Sequence, residues 1–367
     1  MPDASILVIN TGSSSLKFGL YKGLGDDVQL THEGLADNIG HEHATLTLKD
    51  ASGDILRSEQ TSLQHQADAL DHATTWLREL APLHPTAIGH RVVHGGPRLT
   101  AHQRITPELI AELKACIHFA PLHIPVSLEL IERAARTYPN TPQYACFDTA
   151  FHTTIPEAAA RFPLPRALFD EGIRRYGFHG LSYESIVHQL GDELPSRAVI
   201  AHLGSGASLV ALKDGRSIDT TMGLTPTGGI PMATRSGDLD PGVLLFLMRV
   251  KHMDADALEQ LLNRDSGLKA LSGGISDMRE LEASDTPDAC LAIDVFATAI
   301  RKVIAAYTAE LGGLDMLVFS GGIGEHSERI RNAASAGVSA AIRIIPSQED
   351  LQIARHTQRL NSELKTS

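Results

Sequence analysis

The chain opens with the stretch Ile6-Leu7-Val8-Ile9-Asn10-Thr11-Gly12-Ser13-Ser14-Ser15-Leu16-Lys17-Phe18-Gly19-Leu20-Tyr21, which decides the fold. An apolar strand enters a turn of glycine and small hydroxyl residues, and a second apolar strand returns, so this stretch predicts a β-hairpin. The same plan recurs at residues 198–212, where the turn is Gly204-Ser205-Gly206-Ala207-Ser208. One plan repeated half a chain later predicts two domains of similar architecture.

Strands and helices alternate around both hairpins. Residues 87–93 and 144–147 are typical of buried strands, and residues 287–311 of a helix that Thr286 caps. Residues 320–325 predict a loop. Hairpins followed by β/α units, twice, favour a two-domain α/β fold over a TIM barrel, which would lack the hairpins.

Domain boundaries follow from the repeat. We expect a first domain of residues 1–148, with residues 353–367 packed back on it, and a second, nucleotide-binding domain of residues 149–352. A length of 367 residues agrees with two domains of roughly 150 residues each.

Composition excludes several functional classes. The chain has 32 lysines and arginines against 44 aspartates and glutamates, a formal net charge of −12, so no general basic surface for nucleic acid is expected. No stretch approaches the roughly 18 consecutive apolar residues of a membrane helix, so no membrane association is expected. Three scattered cysteines, Cys116, Cys146 and Cys290, predict neither a disulfide framework nor a zinc site and favour a cytoplasmic location.

Three turns rich in glycine and serine each follow a predicted strand, at residues 11–15, 204–208 and 320–324. Small residues allow backbone N–H groups to converge on a phosphate, and hydroxyl groups add donors. None of the three has the spacing of a Walker A loop. One such turn is weak evidence against an ordinary hairpin turn, but three in one chain favour a site for nucleotide phosphates.

Five charged or titratable residues could do chemistry in such a site. Arg91 ends a buried strand and Arg235 lies in a polar loop, where each guanidinium could clamp a carboxylate or phosphate, or form a structural ion pair. Asp148 lies at a strand end, which suits catalysis or Mg²⁺, with a turn cap as the alternative. His179 lies between two glycines, either presented to a site or exposed on a turn. Glu349 is typical of a first-turn charge at the last helix.

Together these motifs resemble the signatures of the acetate kinase family. Residues 10–18 resemble the first signature, and residues 174–180 resemble the second. Further matches are Gly89-His90-Arg91-Val92-Val93-His94-Gly95-Gly96, Phe147-Asp148-Thr149-Ala150-Phe151-His152, Thr234-Arg235-Ser236-Gly237-Asp238 and Gly322-Ile323-Gly324-Glu325. The matches run in family order over nearly the whole chain.

The resemblance implies a fold, a reaction and an assembly. The fold is the actin/sugar-kinase/Hsp70-like (ribonuclease H-like) fold, with two duplicated domains around a central cleft, and the assembly is a homodimer. The reaction is a reversible, Mg²⁺-dependent (or Mn²⁺-dependent) transfer of the ATP γ-phosphoryl group to acetate, which gives acetyl phosphate and ADP.

The resemblance also implies roles for individual residues. The catalytic residues are Arg91, Asp148, His179 and Arg235, and the metal lies at Asn10 and Glu349. The nucleotide and its phosphates are bound by Asn10, Ser13, Ser15, Lys17, His202, Gly204, Ser205, Gly206, Asp277, Met278, Arg279, Gly322, Ile323 and His326. The pocket for the acetate methyl group is formed by Val93, Leu122, Phe178 and Pro226.

Elementary chemistry agrees with these roles. A carboxylic acid with a pKa of roughly 4 is already an anion at neutral pH, so its attack needs no strong general base. The difficulty is to bring an anion to a polyanion, which two arginines, a histidine and a divalent cation ease by charge neutralisation. A sugar kinase must deprotonate a hydroxyl group, which Asp148 could do, so Asp148 alone does not discriminate.

Two alternatives stay open. One is a related kinase for propionate or another short-chain carboxylate, since one methylene in an apolar pocket is worth only ~1–3 kcal/mol, or a relative that uses pyrophosphate. The other is a non-catalytic actin-like or Hsp70-like module that binds ATP, against which Arg91 and Arg235 argue as a pair.

The chain departs from the family pattern without losing a residue of the chemical step. Tyr183 stands where histidine is common, and Ser205 where asparagine is common. The other departures are Ile124, Leu181, Thr227, Gly228, His326 and a shortened segment at residues 332–344.

Overall fold

The structure, a computed structural model, describes residues 5–12, 14–80 and 84–366. The chain forms two units, one of Met1–Ala150 with Gln348–Ser367 and one of Phe151–Ser347. The last helix lies with the first unit from Glu349 onward, a few residues before the boundary that we expected at residue 353, because the helix packs as one piece on the first sheet.

The first unit is built on an eight-stranded mixed sheet. Its strands are β1 (Ser5–Thr11), β2 (Leu16–Lys22), β3 (Gln29–Asp37), β4 (Ala44–Asp50), β5 (Ile55–Thr61), β6 (Ala87–Val92), β7 (Gln103–Arg104) and β8 (Gln143–Phe147). Their spatial order is β5-β4-β3-β2-β1-β6-β8-β7. Strands β1 to β5 pair antiparallel in sequence, whereas β1, β6 and β8 run parallel. The first predicted hairpin is confirmed.

Within the described ranges, the first unit contains four α-helices. They are α1 (Gln66–Leu80), α2 (Pro107–Ala115), α3 (Ile124–Thr137) and the last helix, α14 (Glu349–Thr366). The apolar face of α1, including Leu70 and Trp76, joins the core beneath the sheet. Helix α14 packs against β1, β6 and β8, so its first residues lie near the ends of those strands.

The second unit repeats the plan on a five-stranded sheet. Its strands are β9 (Arg197–Leu203), β10 (Ala207–Lys213), β11 (Arg216–Thr220), β12 (Met316–Ser320) and β13 (Ala341–Ile344). The spatial order is β11-β10-β9-β12-β13, with β9 and β10 antiparallel and β12 parallel to β9. Strand β9 thus takes the place of β1, β10 that of β2 and β12 that of β6, which confirms the predicted repeat.

Ten helices belong to the second unit. They are α4 (Glu157–Ala160), α5 (Arg166–Asp170), α6 (Gly180–Leu190), α7 (Pro241–Val250), α8 (Ala255–Arg264), α9 (Gly267–Leu271), α10 (Met278–Glu282), α11 (Pro287–Glu310), α12 (Gly321–His326) and α13 (Glu328–Ala334). The predicted cap of α11 is confirmed, because the Ala289 amide donates to the Thr286 hydroxyl at 3.3 Å. Over the described residues, the helices include none that is long and apolar enough to cross a membrane.

The loop that we predicted at residues 320–325 is wrong. Ser320 ends β12 and residues 321–325 belong to α12, although glycine-rich sequence has low helix propensity. The helix is stabilised locally, since the Gly321 amide donates to the Glu325 carboxylate one turn later at 3.0 Å. That side-chain bond satisfies one of the amides that a helix start leaves without a backbone partner.

Two buried histidines are neutral in the folded chain. His90 contacts the Gln143 side chain, and His152 contacts Ser217 and the Phe178 carbonyl oxygen. Burial lowers the pKa of His90 and of His152 from 6.5 to about 4. Each imidazole therefore stays neutral where the unfolded chain would already bind a proton.

The free energy of unfolding is expected to fall as the pH drops from about 6.5 towards 4. In this window the unfolded chain takes up a proton at each histidine that the folded chain does not, so stabilisation present above pH 6.5 is lost. The loss is roughly 3 kcal/mol per histidine for shifts of this size. Urea unfolding between pH 7.5 and 4.5 measures it, and the His90→Gln variant should show a shallower dependence. An unchanged slope in that variant would contradict the assignment.

Candidate active site

Arg91 and Asp148 meet at the carboxyl ends of two adjacent parallel strands. Arg91 lies on β6, and Asp148 directly follows β8. The Arg91 Nε lies 3.0 and 3.1 Å from the two carboxylate oxygens, and Nη2 lies 2.6 Å from Oδ2. Asp148 is 1% exposed and the Arg91 side chain is 15% exposed, so this is a buried, bidentate ion pair.

Asn10, at the end of β1, links this pair to the start of α14. Its Oδ1 accepts from Arg91 Nη1 at 3.3 Å, and its Nδ2 donates to Asp350 Oδ1 at 2.6 Å and to Glu349 Oε2 at 3.4 Å. Burial acts to lower the pKa of Arg91, but the carboxylates of Asp148, Glu349 and Asp350 outweigh it and raise that pKa. The guanidinium therefore keeps its charge among three carboxylates.

Asp350 is a site residue that sequence reasoning missed. Its carboxylate makes the shorter of the two contacts with Asn10. Burial raises its pKa, while the Asn10 hydrogen bond and the Lys17 charge act in the opposite direction. The available signal was its position beside Glu349 at the start of the last helix, where the sequence analysis considered Glu349 alone.

The first glycine-serine turn connects β1 to β2 beside Asn10. Its Gly12 amide donates to the Ser15 carbonyl oxygen at 2.9 Å, and Lys17 pairs with Asn10 across the hairpin with its side chain exposed. Ser13, which we also predicted in this site, lies outside the described residues. The turn and Lys17 thus lie next to the carboxylate cluster.

The two pocket residues predicted in this unit differ in exposure. Val93 is buried just after β6, whereas Leu122 is 41% exposed. Ile124, a position at which this chain departs from the family pattern, begins α3 and is fully buried. That isoleucine therefore contributes to the core of the unit.

In the second unit, His179 stands at the start of α6 in a left-handed backbone conformation, with φ of 58°. A non-glycine residue rarely adopts this conformation, so the surrounding contacts must hold it. Phe178, a predicted pocket residue, is fully buried beside it, and its carbonyl oxygen contacts His152. Nδ1 of His179 lies 2.9 Å from the Ser208 hydroxyl on β10.

His202 lies next to His179. The centroids of the two imidazole rings are 4.6 Å apart, and Nδ1 of His202 contacts the Ser182 hydroxyl at 2.7 Å. His202 belongs to β9 and pairs in register with Ser208 on β10. The first turn of α6 and the second hairpin therefore hold both imidazoles.

Gly206 lies between His179 and Arg235. A Cβ atom built on Gly206 would lie 3.3 Å from Nε2 of His179 and 3.7 Å from Nη1 of Arg235. Arg235 is held by a 3.0 Å bond from Nη1 to the Pro226 carbonyl oxygen. The Ser205 carbonyl oxygen accepts from the Ala233 amide at 3.2 Å, which ties the arginine loop to the turn. An imidazole and a guanidinium thus converge on one glycine of the turn.

Gly204 and Ser205, which we also predicted in the site, lie in the same turn as Gly206. The Gly204 amide donates to the Gly206 carbonyl oxygen at 3.1 Å, and Ser205 is exposed at the tip. Thr227, another departure, bonds the Asn263 side chain at 2.6 Å in the loop that precedes Arg235. Ser205 and Thr227 therefore change the surroundings of the His179 and Arg235 side chains. His179 and Arg235 themselves match the family pattern.

The segments predicted to border adenosine adjoin each other. Met278 and Arg279 begin α10 directly after Asp277, and Gly322, Ile323 and His326 lie in α12. A bond from the Ser327 hydroxyl, at the start of α13, to the Glu282 carboxylate joins the two regions.

Asp277 is already engaged by its own segment. It caps α10 and pairs with Arg279, and the hydrogen bond from that side chain lowers the pKa of Asp277 to about 2. Arg279 is 88% exposed and His326 is also exposed. The shortened segment at residues 332–344 contains the end of α13 and the exposed edge strand β13.

The predicted site residues thus form two groups. The first unit brings together Asn10, Arg91, Asp148 and Glu349, with Asp350 added. The second unit brings together His179, His202, Gly206 and Arg235, with Pro226 contributing a carbonyl oxygen. One group pairs a cation with carboxylates, and the other offers nitrogen donors beside a glycine-rich turn.

Comparison with known proteins agrees with the motifs. The model of the acetokinase family matches residues 5–357. The chain is 45% identical to an acetate kinase of Rhodopseudomonas palustris, over 97% of this chain and 98% of that protein. It is 43% identical to an acetate kinase of Methylocella silvestris, over 96% of each chain.

Solved structures agree as well. A propionate kinase from Francisella tularensis superposes with a TM-score of 0.90 at 34% identity, over 97% of this chain and 100% of that one. Acetate kinase from Porphyromonas gingivalis superposes with a TM-score of 0.86 at 32% identity, over 97% and 99%. The predicted actin/sugar-kinase/Hsp70-like fold with two duplicated domains is confirmed.

Proposed function

We propose, because this chain belongs to the acetokinase family of phosphotransferases with a carboxyl acceptor, that it transfers the ATP γ-phosphoryl group reversibly to acetate. The products are acetyl phosphate and ADP. The observation that carries the proposal is the convergence of His179 and Arg235 on Gly206 in the second glycine-serine turn. Two nitrogen donors there suit a group that gains negative charge on its equatorial oxygens.

Arg91 serves the acyl side of the reaction in this proposal. Asp148 engages Nε and Nη2 of Arg91, which fixes the plane of the guanidinium. An arginine held in one plane can orient a carboxylate without losing side-chain entropy at each turnover. Because acetate is already an anion, Asp148 acts by holding Arg91 and does not need to accept a proton.

Glu349 and Asp350 would hold Mg²⁺ or Mn²⁺, with Asn10 as the residue that positions them. The two carboxylates fit, because carboxylate oxygens are ligands that these ions prefer and Nδ2 of Asn10 contacts both of them. When bound, the ion would neutralise charge on the nucleotide phosphates. Asn10 orients the two carboxylates through its Nδ2, while its Oδ1 faces Arg91.

Propionate is the second candidate acceptor. A propionate kinase is among the similar solved structures, at 34% identity. Pocket contacts discriminate a single methylene by only ~1–3 kcal/mol, so both acids would be used, with acetate preferred. Val93, which is buried just after β6, is the residue whose size would set this preference.

The proposal is tested by ADP release from Mg-ATP with acetate, propionate or butyrate, with hydroxylamine to trap the acyl phosphate. We expect acid-dependent ADP, trapped acyl hydroxamate, and kcat/KM in the order acetate, propionate, butyrate. Chelation with EDTA should abolish turnover, and Mg²⁺ or Mn²⁺ should restore it. ADP release that is independent of the acid would contradict the proposal.

The reducing cytoplasm is the proposed location. Cys116 and Cys146 are buried and Cys290 is half-buried, and no disulfide joins them in the described part of the chain. Thiols of this kind are typical of a reducing compartment.

A homodimer through α7 is proposed for the assembly. Of the residues of α7, none is buried, yet its sequence is Pro-Gly-Val-Leu-Leu-Phe-Leu-Met-Arg-Val. Five of its large apolar side chains are between 42% and 56% exposed, namely Val243, Leu245, Phe246, Met248 and Val250. An apolar surface of this kind on a folded domain typically marks a protein interface.

The Phe246→Asp variant is expected to be monomeric, because a carboxylate at the centre of an apolar interface loses its hydration without a partner. Sedimentation equilibrium of wild type and variant at micromolar concentration measures the change. Leu164→Asp is the matched control, because Leu164 is a similarly exposed leucine outside α7, at 48%. A wild-type monomer, or a Phe246→Asp variant that remains dimeric, would refute the interface.

A further inference from the structure

We propose that Tyr183 is a positioning residue that sets the orientation and tautomer of His179 through the Ser208 hydroxyl. The inference rests on the proposed function, in which His179 contacts the transferred phosphoryl group. It concerns a position where this chain differs from its family, so the family's chemistry does not supply it.

The first turn of α6 brings Tyr183 next to His179. His179 is the residue before the helix, and the Tyr183 amide donates to its carbonyl oxygen at 3.0 Å. Both side chains reach the Ser208 hydroxyl on β10, so they project to the same side of the helix start. Tyr183 is fully buried, with its ring 5.7 Å from that of His152 and 6.3 Å from that of Phe151.

A short chain of hydrogen bonds joins the two side chains. The Tyr183 hydroxyl contacts the Ser208 hydroxyl, which in turn lies 2.9 Å from Nδ1 of His179. Ser208 is itself fully buried on β10. In the part of the chain that the structure describes, Ser208 is the one hydrogen-bond partner of the Tyr183 hydroxyl.

The direction of these bonds follows from the donors present. Burial raises the pKa of Tyr183, so its hydroxyl keeps its proton, and we assign it as the donor because Ser208 is the one acceptor within reach among the described residues. The Ser208 oxygen accepts that hydrogen bond, and the Ser208 hydroxyl then donates its own hydrogen to Nδ1 of His179. Nδ1 is therefore an acceptor, and the imidazole carries its hydrogen on Nε2.

The Nε2–H tautomer is the one that the reaction needs. Nε2 is the imidazole nitrogen nearest to Gly206, at 3.3 Å from the position of a Cβ there. A hydrogen on Nε2 makes that atom a donor toward the turn, whereas the other tautomer would present a lone pair to an anion. Without the tyrosine hydroxyl, Ser208 can rotate to accept from Nδ1, and the donor tautomer loses its preference.

The Tyr183→Phe variant tests the inference by removing one oxygen atom. We expect kcat with acetate to fall roughly tenfold, and the KM values for ATP and acetate to change less than twofold, because the donor acts mainly in the transition state. Tyr144→Phe is the matched control, since Tyr144 is equally buried and also gives up a single hydroxyl bond, to Asn361. Its kcat should stay within twofold of wild type.

A double-variant cycle separates positioning from structure. If Tyr183 acts through Ser208, the Tyr183→Phe change should have almost no further effect on kcat in the Ser208→Ala background. A full tenfold loss in that background would overturn the inference. A wild-type kcat in the Tyr183→Phe variant would also overturn it.

The tautomer itself can be observed without turnover. In ¹⁵N-histidine NMR of the intact protein, with the His179→Gln variant used for assignment, we expect His179 to show Nε2–H in wild type and a mixture of tautomers in Tyr183→Phe. An Nδ1–H tautomer in wild type, or the same tautomer in both proteins, would overturn the inference. Because this readout needs no activity, it stays decisive even if the proposed reaction is absent, a failure that the turnover assay shows separately.

Discussion

The Arg91→Ala variant is expected to lose roughly a thousandfold in kcat/KM, because acetate would lose the guanidinium that orients its carboxylate for attack. It should also lose about 3 kcal/mol of unfolding free energy. The second loss arises because Asp148, 1% exposed, no longer faces the guanidinium that compensates its buried charge. Steady-state kinetics and urea unfolding measure the two effects on the same preparation.

Two further variants separate activity from stability. The Arg91→Ala/Asp148→Asn double variant should regain most of the lost stability, because the buried charge is gone, but none of the activity. Arg91→Lys keeps the charge and loses the planar two-nitrogen contact, so its kcat/KM should remain far below wild type. Near-native turnover in Arg91→Ala would rule out the role assigned to this residue.

The Gly206→Val variant is expected to lose roughly a hundredfold in kcat while its unfolding free energy changes by about 1 kcal/mol or less. Gly206 does not have the positive φ that would require glycine, so its backbone tolerates a side chain. The space is what requires glycine, because even a Cβ atom would lie 3.3 Å from Nε2 of His179 and 3.7 Å from Nη1 of Arg235. Branched methyl groups would occupy the volume where a phosphoryl oxygen would bind.

The graded variant Gly206→Ala checks this explanation. One methyl group leaves part of the space open, so its loss should be intermediate between those of wild type and Gly206→Val. Turnover of Gly206→Val above half of the wild-type value would show that the two donors do not act on a group bound at this glycine.

Local signals predicted the elements of the fold well. The two hairpins could be predicted because apolar strands, glycine-serine turns and returning strands are contiguous in sequence. The cap of α11 could be predicted because Thr286 and its proline neighbour are adjacent. Helix α12 could not be predicted, because two local effects oppose each other. The hydrogen bond between Gly321 and Glu325 stabilises the helix, whereas three glycines lower its helix propensity, and a sequence pattern does not show which effect prevails.

The site was predictable as residues but not as contacts. Arg91 and Asp148 each lie at a strand end, yet their pairing depends on β6 and β8 being neighbours, which no local pattern gives. In the structure Arg91 forms an ion pair with Asp148, and the catalytic role that we propose for Arg91 depends on that ion pair. Asp350 was missed because its partner Asn10 is 340 positions away in the sequence.

The most direct test of the account is ³¹P NMR of the products formed from Mg-ATP and acetate labelled with ¹⁸O in both carboxylate oxygens. Attack of the carboxylate on the γ-phosphorus would place ¹⁸O in the bridge between carbon and phosphorus, so the acetyl phosphate resonance should show an isotope shift while ADP shows none. The account predicts this bridging label in essentially all of the product. Inorganic phosphate without the label, formed at the same rate with or without acetate, would contradict it.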